Sequence, residues 1–279
     1  MIYSAQCSGQ LCNRIVWFVQ ALATAIDCRS NLVNFFGGDL RDFSDLHPEA
    51  VPEITIRNLK LRYCLPVDVV HGWMLRFRRF KRGYYDSNAE RCRRWRENGL
   101  RGPLLLWDWY FRNDEAIVRH REEICAYLRV RDEFTVRPNE IAARSREDGT
   151  IVVGVHLRRG DYKEACSHLY FDDATYLRFM KEFIASCRKD NVVFVMVSNE
   201  PINTGYFAQN GLHVVDATGR PQEDIITLSL CDYIMGPGST FSWWAAYYGD
   251  KPRLSLDSRD DTVSLDKFAK VTALLSRFD

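Results

Sequence analysis

Along residues 150–279, short apolar runs alternate with longer segments in which apolar residues recur at helical spacing. This alternation is typical of parallel strands joined by crossover helices, because a parallel strand is buried on both faces and forms a continuous apolar run. The predicted strands are 151–155, 192–197, 212–215, 233–235 and 254–256, and the predicted helices are 173–187, 223–230, 239–248 and 263–277. The pattern predicts an open, Rossmann-like α/β sheet.

The first half of the chain has a less regular pattern. Its predicted elements are a strand at 2–5, a turn at 9–13 and helices at 14–26 and 115–128. Aromatic residues and arginines fill the interval between the two helices without a clear period. A polar connector at 143–149, ARSREDG, predicts a domain boundary that separates residues 1–148 from residues 149–279.

Composition restricts the class of protein. Of the 279 residues, 46% are hydrophobic and 27% are charged, which is typical of a soluble globular chain and excludes disorder and fibres. The nine cysteines are scattered and never form CxxC, which favours reduced cytosolic thiols over a disulfide framework or a zinc site. The N-terminal apolar stretch is interrupted by Asn13, Arg14 and Asp27, so neither a signal peptide nor a membrane span is predicted there. We expect a cytoplasmic location.

Charged side chains stand directly after the first strand of the second half, in GVHLRRGDY at 154–162. Ligands of an open α/β sheet bind at the carboxyl ends of its strands, and planar arginine suits a phosphate or diphosphate. Gly160 permits a sharp turn that presents Arg158 inward. Asp161 then pairs with Arg159 or faces a substrate hydroxyl. The alternative is a solvated arginine pair with Asp161 as its surface partner.

A second candidate anion site is GPGSTFSWWAAYYG at 236–249. Ser239 and Thr240 stand at the start of a predicted helix, where backbone N–H groups and hydroxyls bind anions. Both candidate sites follow strands of one sheet, so we expect them to converge on one diphosphate. The alternative is a simple helix cap, with Trp243 and Trp244 in the core.

A third strand, glycine turn and helix is predicted around SGQLCNRIV at 8–16. It lacks the GxGxxG fingerprint, so NAD and FAD are not indicated and a plain turn is the simpler interpretation. The sequence has no GxxxxGK[ST] and no GxSxG, which excludes P-loop NTPases and α/β-hydrolases. It has neither an Asp-x-Asp pair nor HExxH, so no metal site is indicated.

Taken together, these three stretches resemble the α-1,2-fucosyltransferases and, more loosely, the α-1,6- and protein O-fucosyltransferases. HLRRGDY follows the HxRRxD pattern, STFSWWAAYYG is similar to the STFSWWAAxL-type stretch, and GQLCNR is similar to the GxLGNQ-type turn. The resemblance implies an α/β, GT-B-like fold of two facing Rossmann-like domains with parallel sheets, in which the last helix packs back on the first domain. It also implies a glycosyltransferase that moves L-fucose from GDP-fucose with inversion and without a metal or other cofactor.

The resemblance implies roles for individual residues as well. Arg158 matches the arginine that holds the β-phosphate of GDP and stabilises it as a leaving group, and His156 matches a histidine beside the guanosine. Asp224 matches the carboxylate that reads the guanine N1–H and 2-amino groups. Asp161 and Glu164 are the nearest carboxylates to accept the proton of the acceptor. The other implied donor contacts are Asn13 across the cleft, Ser198 near the ribose, Ser239 and Thr240 at the phosphates, and Phe241.

The sequence departs from the family pattern in two places. Asn199 stands where the family has an aspartate after the serine, and Cys12 and Arg14 replace glycine and glutamine in the first turn. The contact at Asn199 and the shape of that turn are therefore open at this point.

The implied acceptor is a sugar hydroxyl, the 2-hydroxyl of a galactose in an oligosaccharide or lipid-linked glycan, held by the first domain. Basic and aromatic residues interleave at 73–96, which favours peripheral contact with the anionic cytoplasmic face of a membrane. A solvated basic face is the alternative. Nucleic acid is a poorer fit, because the net charge is only +1 and no recognition module is present.

Three competing hypotheses remain from the sequence. The first is a fucosyltransferase of another linkage or a transferase of another GDP-sugar. The second is a catalytically silent GDP-sugar- or glycan-binding module, against which the intact Arg158, Ser239 and Thr240 argue. The third is a nucleic-acid-binding protein that uses the basic residues of 76–101 and binds oligonucleotides with a strong salt dependence.

Overall fold

The computed structural model describes residues 1–5, 9–38, 40–60, 95–106, 111–146, 149–189 and 191–275. The chain divides between Arg131 and Asp132 into two compact units, each with its own sheet. The predicted boundary at 148/149 lies later in the chain. The difference arises because the helix that precedes the polar connector packs against a helix of the second unit.

The first unit contains a four-stranded parallel sheet in the order β3-β2-β1-β4. Its strands are β1 (Ile2–Ser4), β2 (Leu32–Asn34), β3 (Ile56–Asn58) and β4 (Leu104–Leu106), and its helices are α1 (Leu11–Asp27), α2 (Leu40–Phe43), α3 (Asp114–Arg119) and α4 (Arg121–Tyr127). The predicted first strand and first helix are present. The helix predicted at 115–128 is broken at His120, which ends α3 and precedes α4.

The second unit contains a six-stranded sheet in the order β10-β9-β8-β5-β6-β7, parallel except for β10. Its strands are β5 (Ile151–Leu157), β6 (Val192–Ser198), β7 (His213–Asp216), β8 (Tyr233–Pro237), β9 (Pro252–Leu256) and β10 (Ala269–Lys270). Its helices are α5 (Val136–Ser145), α6 (Tyr162–Ala165), α7 (Asp173–Cys187), α8 (Thr204–Gln209), α9 (Pro221–Leu230), α10 (Thr240–Gly249) and α11 (Val271–Leu275). Every strand predicted in the second half is present.

The core of the second unit explains why its strands are uniformly apolar. β6 is buried along its whole length, and β5 is buried from its second residue onward. Phe179 and Phe183 of α7 pack in the same core as Val153 and Phe194 of the sheet. Burial on both faces of the central strands leaves their carboxyl ends as the place for polar chemistry.

The prediction of a long helix over 263–277 is wrong. The segment forms a 3₁₀ turn (Leu265–Lys267), then β10 antiparallel to β9, then α11, which contacts α10. The buried residues Val263, Phe268 and Val271 are five and three positions apart. The first interval does not fit the spacing of three or four residues that one face of a helix requires.

The stretch 73–96, predicted to contact a membrane, lies outside the described residues except for Trp95 and Arg96. Within the part of the chain that the structure describes, no helix has both the length and the apolar character needed to cross a membrane.

Candidate active site

Two neighbouring strand ends bring the predicted anion-binding stretches together. β5 and β8 pair in parallel from Val153 and Tyr233 onward, so the residues that follow each strand leave the same edge of the sheet. The strands approach closely at Gly236, where a Cβ atom would lie 2.6 Å from the backbone oxygen of His156. The structure therefore places HLRRGDY beside GPGST, as the sequence predicts.

Two residues that follow Arg158 in the sequence hold its side chain. The Nη2 atom donates to Asp161 Oδ2 at 2.8 Å, and the guanidinium carbon is 5.3 Å from the centroid of the Tyr162 ring. The Arg158 side chain is 16% exposed and that of Asp161 is 47% exposed, so a mostly covered cation has a solvent-facing partner. The predicted pairing of Asp161 with Arg159 is wrong, because Asp161 pairs with Arg158.

Arg159 stabilises the fold. This residue is buried, its Nη2 atom donates to Asp173 Oδ1 at 2.5 Å, and its Nε atom donates to the backbone oxygen of Phe171 at 3.3 Å. Asp173 begins α7, so the ion pair ties the end of β5 to the next long helix. Successive residues at a strand end point to opposite sides of the chain, which leaves only one of the two arginines near the strand edge for a ligand.

Asn199 holds the turn after β5. Its Oδ1 atom accepts from Arg159 N at 2.9 Å, and Glu200 Oε1 accepts from Gly160 N at 3.0 Å. Gly160 has a φ of +43°, and a Cβ atom there would lie 2.4 Å from Asn199 Nδ2, so both the conformation and the space require glycine. An amide oxygen accepts the Arg159 bond as a carboxylate oxygen would, so this departure from the family pattern preserves the turn.

The second predicted anion site is a capped helix start. Ser239 is the N-cap of α10, and its Oγ atom accepts from Phe241 N at 3.2 Å. Thr240 is the first residue of the helix. Ser239 and Thr240 therefore lie at the positive end of the helix dipole, where a negative charge is stabilised.

Side chains from two other elements hold the carbonyl groups of this turn. The Tyr162 hydroxyl donates to the Gly238 oxygen at 3.1 Å, and Arg253 Nη2 donates to the Pro237 oxygen at 3.1 Å. Burial raises the pKa of Tyr162, so its hydroxyl keeps the proton that it donates. Tyr162 thereby connects the Arg158 loop to the helix start.

His156 is buried in this site as a neutral imidazole. It is 4% exposed, and its ring stacks on Phe241 with 5.0 Å between centroids. Burial, with smaller contributions from the positive charges of Arg158 and Arg253, lowers the pKa of His156 to about 3. Its Nδ1 atom is buried and has no hydrogen-bond partner within the described chain. Phe241 and His156, both predicted donor contacts, are thus in contact with each other.

Ser198 is the last residue of β6, and Asp224 lies on α9, the helix that follows β7. Ser198 N donates to Thr218 Oγ1 at 3.2 Å, and Ser198 Oγ accepts from Glu200 N at 3.1 Å. Asp224 Oδ1 accepts from Gly219 N at 2.7 Å, and burial raises the pKa of this carboxyl to about 7. Both side chains are buried at the carboxyl edge of the same sheet.

Asn13 belongs to the first unit, in the first turn of α1. The neighbouring Arg14 donates from Nε to the Gly9 oxygen at 3.1 Å, and Cys12 is buried. The arginine that replaces the family's glutamine therefore contacts the backbone of the turn. The donor contact of Asn13 stays a prediction.

Sequence reasoning missed three residues of the site. Tyr162 was part of the quoted motif but had no assigned role. Arg253 directly precedes the predicted strand 254–256 and lies within β9. Arg137 donates to the Ala217 and Thr218 oxygens at 2.9 and 3.0 Å, and it stands near Asp224. No sequence pattern marks Arg137, because its contacts are with a loop that lies about eighty residues later.

The overall fold is that of GT-B-like fucosyltransferases. POFUT1 in complex with GDP-fucose has a TM-score of 0.55 at 12% identity, covering 92% of this chain and 95% of that one. Fucosyltransferase NodZ from Bradyrhizobium has a TM-score of 0.55 at 12% identity, covering 92% and 94%. An Arabidopsis thaliana FUT1 mutant in complex with GDP has a TM-score of 0.55 at 11% identity, covering 96% and 72%.

The chain belongs to glycosyl transferase family 11, whose family model matches residues 118–262. Galactoside alpha-(1,2)-fucosyltransferase 1 of Rattus norvegicus is 33% identical over 138 residues, which are 44% of this chain and 35% of the relative. Galactoside alpha-(1,2)-fucosyltransferase 2 of Mus musculus is 30% identical over 190 residues, 62% of this chain and 52% of the relative. The matches span between about a third and about half of these relatives. The predicted family and fold class are confirmed.

Proposed function

We propose that the protein transfers L-fucose from GDP-fucose to the 2-hydroxyl of a galactose in a glycan, with inversion and without a metal ion. The observation that carries the proposal is the adjacency of Arg158 and the Ser239 helix start, joined by Tyr162. Two elements that stabilise negative charge thus meet at one sheet edge.

The donor chemistry requires such a site. When the bond between fucose and GDP breaks, the sugar becomes oxocarbenium-like and negative charge grows on the diphosphate. In the proposed reaction, Arg158 and the N-terminus of α10 stabilise that charge in place of a divalent cation. The fold is shared with structures that hold GDP-fucose and GDP, which supports the donor.

Asp161 has two roles in this proposal. Before the donor binds, it neutralises Arg158, as the 2.8 Å pair shows. When the diphosphate takes over Arg158, the Asp161 carboxylate is released to accept the proton of the acceptor hydroxyl. Glu164, exposed on α6 one helical turn further on, is the alternative base.

The remaining donor contacts are assigned by chemistry. His156 is neutral and stacked on Phe241, so it approaches the nucleoside without adding charge. Asp224 reads the donor groups of guanine, and Ser198 lies at the neighbouring strand end for the ribose. The names of the curated relatives support galactose as the acceptor and α-1,2 as the linkage.

The test is GDP release from GDP-fucose in the presence of EDTA, with a panel of galactose-terminated acceptors. We expect acceptor-dependent release by the wild type and a loss of about 10²–10³-fold in Arg158→Ala. Arg158→Lys should not restore it, because lysine lacks the planar fork. Arg144→Ala is the matched control, since Arg144 is 76% exposed on α5 and its Glu140 pair is 3.9 Å long.

Each failure has a distinct meaning in this assay. GDP binding by a folded wild type without release for any acceptor would favour a silent binding module. Release that EDTA abolishes would show that a metal ion does part of the work assigned to Arg158. Absence of GDP binding would contradict the donor site itself.

A further inference from the structure

Arg253 is a buried arginine that the proposed reaction does not yet use. It stands on β9, is 9% exposed, and donates from Nε to Ser242 Oγ at 3.1 Å and from Nη2 to the Pro237 oxygen at 3.1 Å. Both hydrogen-bond partners are neutral groups, and the carboxylate that acts on Arg253 electrostatically is that of Asp257. Burial lowers the pKa of Arg253 to about 10, and the Asp257 carboxylate opposes this shift.

The contacts of Arg253 enclose the turn that starts α10. Pro237 and Ser242 lie on either side of the Ser239 cap, and the Ser242 hydroxyl donates onward to the Ser239 oxygen at 3.4 Å. The Gly238 oxygen is held by Tyr162. Three successive carbonyl groups are therefore bound from within the protein.

Bound carbonyl groups determine where the amide groups point. In a trans peptide, the N–H group points away from the carbonyl group of the same peptide unit. The amides of Gly238 and Ser239, which share peptide units with the carbonyl groups held by Arg253 and Tyr162, are thus directed away from those two side chains. This arrangement orients an N-terminal helix turn for an anion.

A second observation points to the same anion. His156 Nδ1 is buried and has no hydrogen-bond partner among the described residues, and its ring lies in the fields of Arg158 and Arg253. The nearby part of the site therefore holds a neutral imidazole and two arginines, of which Arg158 pairs with the solvent-facing Asp161. A diphosphate would bring further negative charge to these two arginines.

We propose that Arg253 is a positioning residue of the donor site, which holds the 237–242 turn in its anion-binding form and supplies buried positive charge to the diphosphate. The inference rests on the proposed function, because it takes GDP as the ligand. It adds a second arginine, on a strand that carries none of the motif residues.

The experiment measures the affinity of the full chain for GDP, GMP and guanosine by calorimetry. The variants are Arg253→Met, which removes the charge but keeps an unbranched side chain, and Arg253→Lys, which keeps the charge but loses the fork. Arg144→Met is the exposed control. We expect Arg253→Met to lower the affinity for GDP at least tenfold, the affinity for GMP less, and the affinity for guanosine hardly at all. Arg253→Lys should recover part of the lost affinity for GDP.

A merely structural role predicts a different pattern. The inference would be overturned if folded Arg253→Met lost affinity equally for GDP, GMP and guanosine, or if its affinity for GDP were unchanged. If thermal melting shows that Arg253→Met does not fold, Arg253→Lys and Ser242→Ala decide by the same comparison of GDP with guanosine. A wild type that binds no GDP would overturn the proposed function as well, whereas GDP binding that is indifferent to Arg253 overturns this inference alone.

Discussion

The ring of Tyr162 lies against the Arg158 guanidinium, with 5.3 Å from the guanidinium carbon to the ring centroid. The same residue donates its hydroxyl to the Gly238 oxygen at 3.1 Å. One side chain thus holds both an arginine and the start of an anion-binding helix. The relative position of these two groups depends on Tyr162, although it carries no charge.

Tyr162→Phe and Tyr162→Leu separate the two contacts. Phenylalanine keeps the ring beside Arg158 and loses only the hydroxyl hydrogen bond. We therefore expect GDP affinity to fall about fivefold, which corresponds to the loss of about 1 kcal/mol of binding free energy. Leucine loses the cation–π contact as well and should cost about 1 kcal/mol more. Calorimetric Kd values for GDP check this order, and a Tyr162→Leu variant that binds like the wild type would show that Tyr162 positions neither group.

The two neighbouring arginines should respond differently to removal. Arg158→Ala should abolish most turnover and leave the melting temperature near that of the wild type, because the side chain serves the ligand. Arg159→Ala should lower the free energy of unfolding by about 1 to 3 kcal/mol, because the Asp173 pair and the Phe171 bond are lost. Urea denaturation and kcat/KM on both variants provide the comparison, and equal effects on stability would refute the division of roles.

Asn199 offers a test of the turn after β5. Asn199→Asp keeps an oxygen for Arg159 N and should change the free energy of unfolding by less than about 0.5 kcal/mol. Asn199→Ala leaves that amide unsatisfied and should cost about 1 to 3 kcal/mol. The two variants are compared by chemical denaturation. An alanine variant as stable as the wild type would mean that another group satisfies Arg159 N.

Asp224 should make stability and donor binding depend on pH in opposite directions. Burial raises its pKa from 3.8 to about 7, opposed by the Gly219 bond and Arg137 and assisted by Glu223 and Asp216. The folded state then keeps a proton that the unfolded state has lost, so this contribution to stability is complete below about pH 3.8 and is lost as pH rises through 7. The ionised form accepts the guanine donors, so GDP affinity should rise across the same upper range.

Asp224→Asn is the reference for that prediction, since the amide does not titrate. The stability of the wild type relative to the variant should fall between pH 5 and pH 8, and its relative GDP affinity should rise. Taking the difference removes the titration of the histidines and other groups common to both proteins. Parallel curves for the two proteins would contradict the raised pKa.

Much of the second unit was predictable because its strands are long and buried on both faces. The runs at 151–155 and 192–197 became strands, and the motifs at their ends reached one edge of the sheet. The first unit was harder, because strands of three residues such as Leu32–Asn34 are too short to show a period. Its parallel sheet came from the family resemblance and not from the pattern.

Partners of charged residues were the least predictable part of the site. Asp161 is close in sequence to both arginines, and the choice between them depends on Asp173, which only the placement of α7 brings to Arg159. Arg253 reaches its turn from a strand that follows the motif, across a sheet ladder. Such contacts depend on tertiary packing, which local propensity and residue spacing do not predict.

The two-residue strand β10 has a consequence for how copies of the chain meet. It closes one side of the six-stranded sheet antiparallel to β9, and its Lys270 pairs with Asp250 at 2.5 Å. An edge this short, with a lysine on it, gives an incoming strand few backbone groups to bind. The β10 edge therefore disfavours aggregation by strand addition. The opposite edge strand is β7. An added charge on β7 would therefore reduce aggregation in concentrated samples.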